Sequence, residues 1–351
     1  MENRWPLTLH FTQFAGLLNF ELADHPVYDG FELQWFDDDV HGTGMLAFLS
    51  RRDGRVVDYY SDPGLTLDRN GYQIGGGTRS WNLTDFDVSR FQITPGGVAA
   101  EVSFTDVDGR PVEIWIDDRD GRRRKPAALL APVSAAIDNP TNLLLVWMPV
   151  FDLVRRSGAA PVIRIDGVDA AIGRLPGARL HRRHLIKYAG PVLTLEVNRD
   201  HDGPLSTLTS DARPEVSTSG RLTALVAEID GYRARLSLDP GLPAMDSASA
   251  RDETGRWSVA IDDATLTGGT WSTAATPDGT RLELVADQRW RPRRLPGLMR
   301  FVTTVVPVFK RWPTTYAWSC EVPRDPAAGI TSTWRRTGTD VAASYRRATG
   351  S

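Results

Sequence analysis

The stretch DGRPVEIWIDDR (Asp108–Arg119) recurs later in the chain as DGTRLELVADQR (Asp278–Arg289). In both copies an Asp-Gly pair precedes an alternation of aliphatic residues around a glutamate, and both copies end on arginine. Alternation with a period of two predicts a half-buried strand, because successive side chains of a strand point to opposite faces of the sheet. Asp-Gly predicts a tight turn, because it supplies positive φ. The same turn and strand are therefore predicted in each half of the chain.

Two further blocks repeat in the same order. Arg122–Trp147 compares with Arg291–Trp318, and Val154–Gly158 compares with Trp334–Gly338. Three blocks in register favour an internal duplication, which is the first feature to seek in a chain of this length. The alternative is chance, because Asp-Gly turns and Arg-Arg pairs are common in an arginine-rich chain.

The fold class follows from many short strand patterns separated by turn signals. The Asp-Gly and Asn-Gly pairs that mark these turns begin at Asp53, Asn70, Asp108, Asp230 and Asp278. The pattern predicts an all-β protein of two tandem antiparallel β-barrel domains, residues 1–175 and 176–351, with few short helices. About eight strands per domain are enough to close a barrel that holds one small ligand.

Helices are predicted at three places only. Ala127–Ala136 is a candidate short helix, and Leu298–Phe309 is its counterpart in the second copy, although the β-branched run there argues for a strand. A terminal helix is predicted around Asp340–Arg347.

Composition limits the classes of partner. The chain has 351 residues and a formal net charge of −3, so it carries no overall field that attracts nucleic acid or an anionic membrane. No segment approaches the length of an apolar membrane-spanning helix, and no signal peptide is recognised. We therefore expect no nucleic-acid partner and no membrane insertion.

Cysteine usage and basic composition indicate the setting. Cys320 is the only cysteine, which excludes an internal disulfide and fits a cytoplasmic location. Only three of the 41 basic residues are lysines, namely Lys125, Lys187 and Lys310, a bias typical of a GC-rich genome such as an actinobacterial one.

The predicted architecture resembles the tandem lipocalin-like (calycin) proteins, which include carotenoid hydratases and decalin-forming Diels–Alderases. The resemblance covers the whole chain and rests on its length, its duplication, its strand content and its abundant tryptophan. No catalytic motif of those families is matched residue by residue. The resemblance implies an apolar small-molecule ligand and a reaction that needs no cofactor.

The acidic run FDDDVHGTG (Phe36–Gly44) is the densest polar cluster in the sequence. If Asp37, Asp39 and His41 lie on one extended strand, they share a face and can transfer protons or bind a metal. The alternative is a solvated strand end that runs into a glycine-rich hairpin. Asp39 and His41 are the candidate catalytic residues here.

Glu113 is the third catalytic candidate. With Asp117 and Arg119 it lies on one face of its predicted strand, and the second copy repeats the pattern. One interpretation is an outward face with cross-strand ion pairs. The other is a polar spot inside a barrel, where burial raises the pKa of the carboxyl and lets it donate a proton.

Tryptophan is enriched, with 11 residues in the chain. Aromatic side chains in or beside predicted strands are candidates for lining a ligand cavity, because their faces stack on polyenes and stabilise cations. Ordinary core filling is the alternative for each of them. The candidate substrate-binding residues are Trp35, Tyr60, Trp81, Trp115, Trp147 and Trp318.

The functional hypothesis is a cofactor-independent cyclase, isomerase or hydratase that acts on an apolar polyketide or isoprenoid in an aromatic-lined cavity. No cofactor is expected. No metal site is expected either, because His181 and His184 lack further ligands of the usual type. A non-catalytic carrier of a lipid or pigment, and an interaction protein whose barrels are filled by side chains, are the two alternatives.

Overall fold

A computed structural model describes residues 5–54, 56–69, 72, 78–119, 124–133, 140–156, 159–174, 182–245, 252–291, 295–325 and 328–337. These residues form 24 strands and two short α-helices, which confirms the all-β class with few short helices. The helices are α1 (Gly297–Val305) and α2 (Val308–Arg311). The strands are β1 (Leu9–Phe14), β2 (Gly16–Glu21), β3 (Tyr28–Asp38), β4 (Gly42–Arg51), β5 (Val56–Ser61), β6 (Thr78–Leu83), β7 (Val88–Thr94), β8 (Gly97–Thr105), β9 (Pro111–Asp117), β10 (Ala127–Ala131), β11 (Leu143–Arg155), β12 (Val162–Ile165), β13 (Val168–Asp169), β14 (Arg183–Ala189), β15 (Val192–Val197), β16 (His201–Gly203), β17 (Arg213–Val216), β18 (Leu222–Ile229), β19 (Tyr232–Leu242), β20 (Glu253–Ile261), β21 (Ala264–Thr276), β22 (Gly279–Gln288), β23 (Tyr316–Pro323) and β24 (Ile330–Arg336).

Contacts between Cα atoms divide the chain into two compact units. The first, called here the meander unit, comprises Met1–Thr12, Leu130–Trp147 and Leu193–Ser351. The second, called here the sandwich unit, comprises Gln13–Leu129 and Met148–Val192. The boundary cuts strand β11, so its first half belongs to one unit and its second half to the other.

The sandwich unit packs two sheets face to face. Strands β14, β2, β3, β4, β5 and β6 are neighbours in that order, and every pair among them is antiparallel except the parallel pair β5–β6. Strands β13, β12, β9, β8 and β7 form the second sheet. One buried core lies between the two sheets, because alternate aliphatic side chains of each sheet point towards the other. It includes Leu18, Leu33 and Ala47 of the first sheet and Val102 and Ile114 of the second.

The first repeated block takes the structure that its alternation predicts. Val112, Ile114 and Ile116 of β9 are buried, and Glu113 and Trp115 between them are exposed. Strand β9 follows β8 in an antiparallel hairpin, as β22 follows β21.

The second repeated block takes different structures in its two copies. Ala127–Ala131 is strand β10, so the helix predicted for Ala127–Ala136 is wrong over its described first half. Pro126 and Pro132 bound this segment, and a residue before proline is disfavoured in the helical region. The helix α1 forms within the counterpart segment despite its β-branched residues, because an amphipathic face there buries Met299.

The meander unit is built on an up-and-down sheet. Strands β17 to β24 each pair antiparallel with the next strand along the chain, and β16 pairs with β24. Trp257, Trp271 and Trp318 are among its fully buried side chains. None of the three sheets closes into a barrel in the described part of the chain, so the two closed barrels expected from the sequence are not confirmed.

A glycine fixes one pairing of this sheet. Gly269 sits at a bulge in β21, and a Cβ atom there would overlap the carbonyl oxygen of Val285 on β22. We expect Gly269→Ala to lower the free energy of unfolding by about 2 kcal/mol, because a backbone atom of the ladder must move. Chemical denaturation measures the change.

The matched control is Gly297→Ala at the start of α1. A Cβ atom there meets nothing within 4 Å, and alanine favours the helix. We expect unchanged or slightly raised stability. Equal losses in the two variants would contradict the steric assignment at Gly269.

Candidate functional site

A single row of side chains crosses six strands of the sandwich unit, on the face of the sheet opposite its core. Register places each member directly beside the next. From β14 to β6 the row consists of Lys187, Asn19, Glu32, Phe48, Tyr59 and Trp81. This set is called the cross-strand row below; its first three members are polar and its last three aromatic.

The polar half forms a continuous hydrogen-bond chain that ends on Glu32. Lys187 Nζ donates to Asn19 Oδ1 at 3.1 Å, and Asn19 Nδ2 donates to Glu32 Oε2 at 3.0 Å. From the other side Tyr72 Oη donates to Gln34 Oε1, and Gln34 Nε2 donates to Glu32 Oε1 at 2.8 Å. Each carboxyl oxygen of Glu32 therefore accepts one amide N–H.

Donor-only and acceptor-only partners fix which way the two amides point. Lys187 can only donate, so the oxygen of Asn19 faces it and the NH₂ group faces Glu32. The ionised carboxylate of Glu32 can only accept, so the NH₂ group of Gln34 faces it and the oxygen of Gln34 accepts from the hydroxyl of Tyr72. Both arms of the chain thus present hydrogen-bond donors to the carboxyl group of Glu32.

Burial raises the pKa of Glu32 towards neutral pH. Its pKa is raised to about 7, because desolvation raises the pKa more than the hydrogen bonds from Gln34 and Asn19 and the charge of Lys187 lower it. A carboxyl group with a pKa near neutrality is populated both as acid and as base at physiological pH, which is the condition for general acid–base catalysis.

The aromatic half forms a packed cluster beside this carboxyl group. The ring of Tyr59 stacks on Trp81 at 4.4 Å between centroids and contacts Phe48 at 4.9 Å. Tyr72 meets Tyr59 and Trp81 edge-on at 6.1 Å and 5.8 Å. Tyr72 therefore belongs to both halves, because its ring packs on the aromatic cluster while its hydroxyl holds Gln34.

The arrangement combines two chemical capacities. Glu32 can give or take a proton, and aromatic faces attract apolar groups and stabilise positive charge that develops on them. Since Glu32 and Phe48 are direct cross-strand neighbours, both capacities meet at one point of the sheet.

Asp39 and His41 do not lie on one extended strand with Asp37. Strand β3 ends at Asp38, and residues 39–41 form the turn to β4. The ring of His41 contacts Asp38 at 3.0 Å, and Asp39 is exposed. Burial alone would raise the pKa of Asp38. Hydrogen bonds from His41 and Val40 lower it by more than burial raises it, so the pKa lies below its ordinary value. The geometry is that of the alternative, a strand end that runs into a hairpin.

Glu113 lies on the outward face of the second sheet. Its carboxylate pairs with Arg164 on the neighbouring strand β12 at 3.1 Å, and about half of its side chain is exposed. The burial required of a proton donor inside a barrel is absent, and the cross-strand ion pair of the other interpretation is present. Asp117 and Arg119 likewise form an exposed pair at 2.7 Å.

The six aromatic candidates do not form one cavity lining. Trp81 belongs to the cross-strand row, whereas Trp35 and Tyr60 pack against the core on the opposite face of the sheet. Trp115 is 38% exposed on the second sheet, where it helps line a shallow cavity of about 240 Å³.

The last two candidates belong to the meander unit. Trp147 packs edge-on against Trp290 at 5.9 Å, and Trp318 is fully buried. The indole N–H groups of Trp318 and of Trp271, two strands away, find no hydrogen-bond acceptor in the described part of the chain.

Of this arrangement, sequence reasoning singled out Trp81 alone. It missed Asn19, Glu32, Gln34, Phe48, Tyr59, Tyr72 and Lys187. The signal available was the alternation FELQW (Phe31–Trp35), in which Glu32 and Gln34 share one face of a strand. In a half-buried strand such residues are usually solvated, so the pattern alone did not distinguish them from an ordinary outer face.

The described residues contain no group of three or more His, Cys, Asp or Glu side chains arranged to hold a metal ion. Within them, no helix has the length and apolarity needed to cross a membrane. His181 lies outside the described residues, as does the terminal helix predicted around Asp340–Arg347.

Comparison with known proteins gives no relationship. No family model matches the chain, and neither a curated protein nor a solved structure matches it.

Proposed function

We propose that the chain is a cofactor-independent cyclase, isomerase or hydratase that acts on an apolar polyketide or isoprenoid. The observation that carries the proposal is the contact in one cross-strand row between Glu32, with a pKa of about 7, and the aromatic cluster of Phe48, Tyr59 and Trp81. An apolar ligand packs against Trp81 and Tyr72, which are half-buried beside the buried Phe48 and Tyr59. Glu32 transfers its proton to one carbon of a C=C bond of the ligand. The resulting cation then loses a proton from a neighbouring carbon to the Glu32 carboxylate, or adds water whose surplus proton returns to that carboxylate.

The hydrogen-bond chain suits this role. After the proton leaves Glu32, the carboxylate is stabilised by the N–H groups of Asn19 and Gln34, which already point at its oxygens. No reorientation is needed at the moment of transfer, so the stabilisation is preorganised. The positive charge that develops on the ligand faces the rings of the cluster.

We also propose that the fold is one of tandem lipocalin-like barrels. The unbroken up-and-down order of β17 to β24 supports it for the meander unit, because lipocalin-type barrels are built from eight antiparallel strands in that order.

A non-catalytic carrier is the second candidate. Both oxygens of Glu32 are already hydrogen-bonded within the protein, so the same face can hold an apolar ligand without reacting with it. Release of an unchanged ligand distinguishes this function from the first.

Solvent deuterium tests the choice. Native mass spectrometry of protein purified from its own host should show a bound small apolar molecule. Denaturing the same preparation should release that molecule for identification. Returned to fresh protein in D₂O, this molecule should gain carbon-bound deuterium or be converted to product, because Glu32 re-protonates from solvent.

If nothing copurifies, retinol, farnesol and geranylgeraniol are the probes, with binding followed by quenching of tryptophan fluorescence. Binding without deuterium incorporation or conversion would favour the carrier. Absence of binding by the host extract and by all three probes would contradict both functions and favour an interaction protein filled by its own side chains.

A further inference from the structure

One segment of the chain concentrates positive charge. Between Asp287 and Glu321 the sequence has no acidic residue, although the net charge of the whole chain is −3. Helices α1 and α2 lie within this segment. Its basic residues are Arg289, Arg291, Arg293, Arg294, Arg300, Lys310 and Arg311.

Helix α1, which lies within this basic segment, carries exposed apolar side chains. Phe301 is 52% exposed and Val305 is 51% exposed, and their spacing of four places them on one face of the helix. Met299 is buried and anchors the helix to the protein. Leu298 and Val302 are half-buried on the arc between these positions. The apolar surface of α1 therefore extends beyond what the fold buries.

Exposed basic side chains precede and follow the exposed apolar pair along the chain. Arg300 is exposed within α1, and Lys310 and Arg311 are exposed at the end of α2. Exposed apolar side chains in a short amphipathic segment that also carries Lys and Arg are typical of surfaces that lie in the interface of an anionic bilayer. There the apolar groups leave water while the cations remain at the level of the lipid phosphates.

We propose that α1 and α2, with their basic flanks, dock this protein peripherally on an anionic lipid bilayer. Phe301 and Val305 enter the boundary between headgroups and acyl chains, and Arg300, Lys310 and Arg311 meet the phosphates. A nine-residue helix lies on such a surface and does not span it. A nucleic acid would satisfy the same charges but would leave the exposed apolar pair in water, so the bilayer fits better.

Vesicle flotation with the full chain tests the surface. We expect binding to phosphatidylcholine vesicles that contain phosphatidylglycerol, little binding to pure phosphatidylcholine, and weaker binding as salt rises. Phe301→Ser with Val305→Ser should weaken binding about tenfold. Arg300→Gln, Lys310→Gln and Arg311→Gln together should weaken it by roughly a hundredfold, at about fivefold for each charge.

Two control variants separate this surface from the rest of the molecule. Val168→Ser removes an apolar residue that is 66% exposed on β13, and it should bind vesicles like the unchanged protein. The Glu32→Gln variant should bind vesicles as tightly as the unchanged protein. A loss of membrane docking can therefore be distinguished from a loss of the proposed proton transfer. Circular dichroism confirms that each variant folds.

Three outcomes would overturn the proposal. The first is equal binding to neutral and anionic vesicles, or no binding to either kind. The second is anionic binding that survives both sets of substitutions in folded protein. The third is preference for a short DNA duplex or RNA over vesicles, which would assign the segment to nucleic acid.

Discussion

Glutamine in place of Glu32 is expected to reduce proton transfer to the bound ligand by about 100-fold or more while ligand binding remains. A positioned general acid contributes about 10²–10⁴ to a rate, and glutamine keeps the shape of the side chain but has no acidic proton. The measurement is the rate of deuterium incorporation or conversion, together with a binding titration on the same protein.

The pH profile of the unchanged protein gives a second readout. The pKa of Glu32 is raised to about 7, so the acid form dominates below that pH and falls about tenfold per unit above it. We expect the rate to be level at acidic pH and to decline above about pH 7. A profile that is flat across this range would rule out Glu32 as the proton donor.

The matched control is Glu101→Gln on β8. Glu101 is an exposed carboxylate paired with Arg90 at 2.9 Å, and the same substitution there should leave the rate unchanged. In the Glu32 variant one amide donor of the row faces a new NH₂ group, at a cost of about 1–3 kcal/mol, so thermal unfolding of both variants must accompany the kinetics. A similar rate in both variants would contradict the assignment.

Arg124→Met is expected to lower the free energy of unfolding by about 3–5 kcal/mol, because it leaves a buried carboxylate without its cation. Arg124 and Asp118 form an ion pair whose side chains are 3% and 1% exposed. Arg124 also donates to Tyr188 Oη at 3.1 Å, and the backbone N–H of Arg155 donates to Asp118 at 3.0 Å. Chemical denaturation monitored by circular dichroism measures the loss.

The neighbouring exposed pair provides the comparison. Arg119 binds Asp117 at 2.7 Å, but the two side chains are 42% and 33% exposed. Arg119→Met should leave the free energy of unfolding nearly unchanged, since solvent screens exposed pairs. If Arg124→Met cost no more than Arg119→Met, the buried pair would contribute nothing beyond an ordinary surface contact.

Local pattern predicted the strands but not which of their faces carry the site. The two adjacent tyrosines of β5 illustrate the limit. Tyr60 was the sequence candidate, yet it packs in the core, and Tyr59 lies in the cross-strand row on the other face. A shift of one residue reverses the face of a strand side chain, and the sequence VVDYYS (Val56–Ser61) fits either assignment.

The candidate site itself depends on the order of strands in the sheet. Lys187 and Asn19 are 168 residues apart in sequence and hydrogen-bonded in the structure. Glu32 acquires its raised pKa from burial, which the alternation around it does not reveal. Glu113, by contrast, shows in its exposed ion pair the outward polar face that its alternation suggests.

The all-β class, the alternation of β9 and β22 and several of the turns between strands could be predicted from local sequence pattern. These properties are local, because a period of two and an Asp-Gly pair act within a few residues. The meeting of Asn19, Glu32 and Lys187, and the position of the aromatic cluster beside them, follow from the way distant strands pair. Cross-strand neighbours are set by sheet order and register, which depend on burial of one face across distant segments, and no short stretch of sequence contains that information.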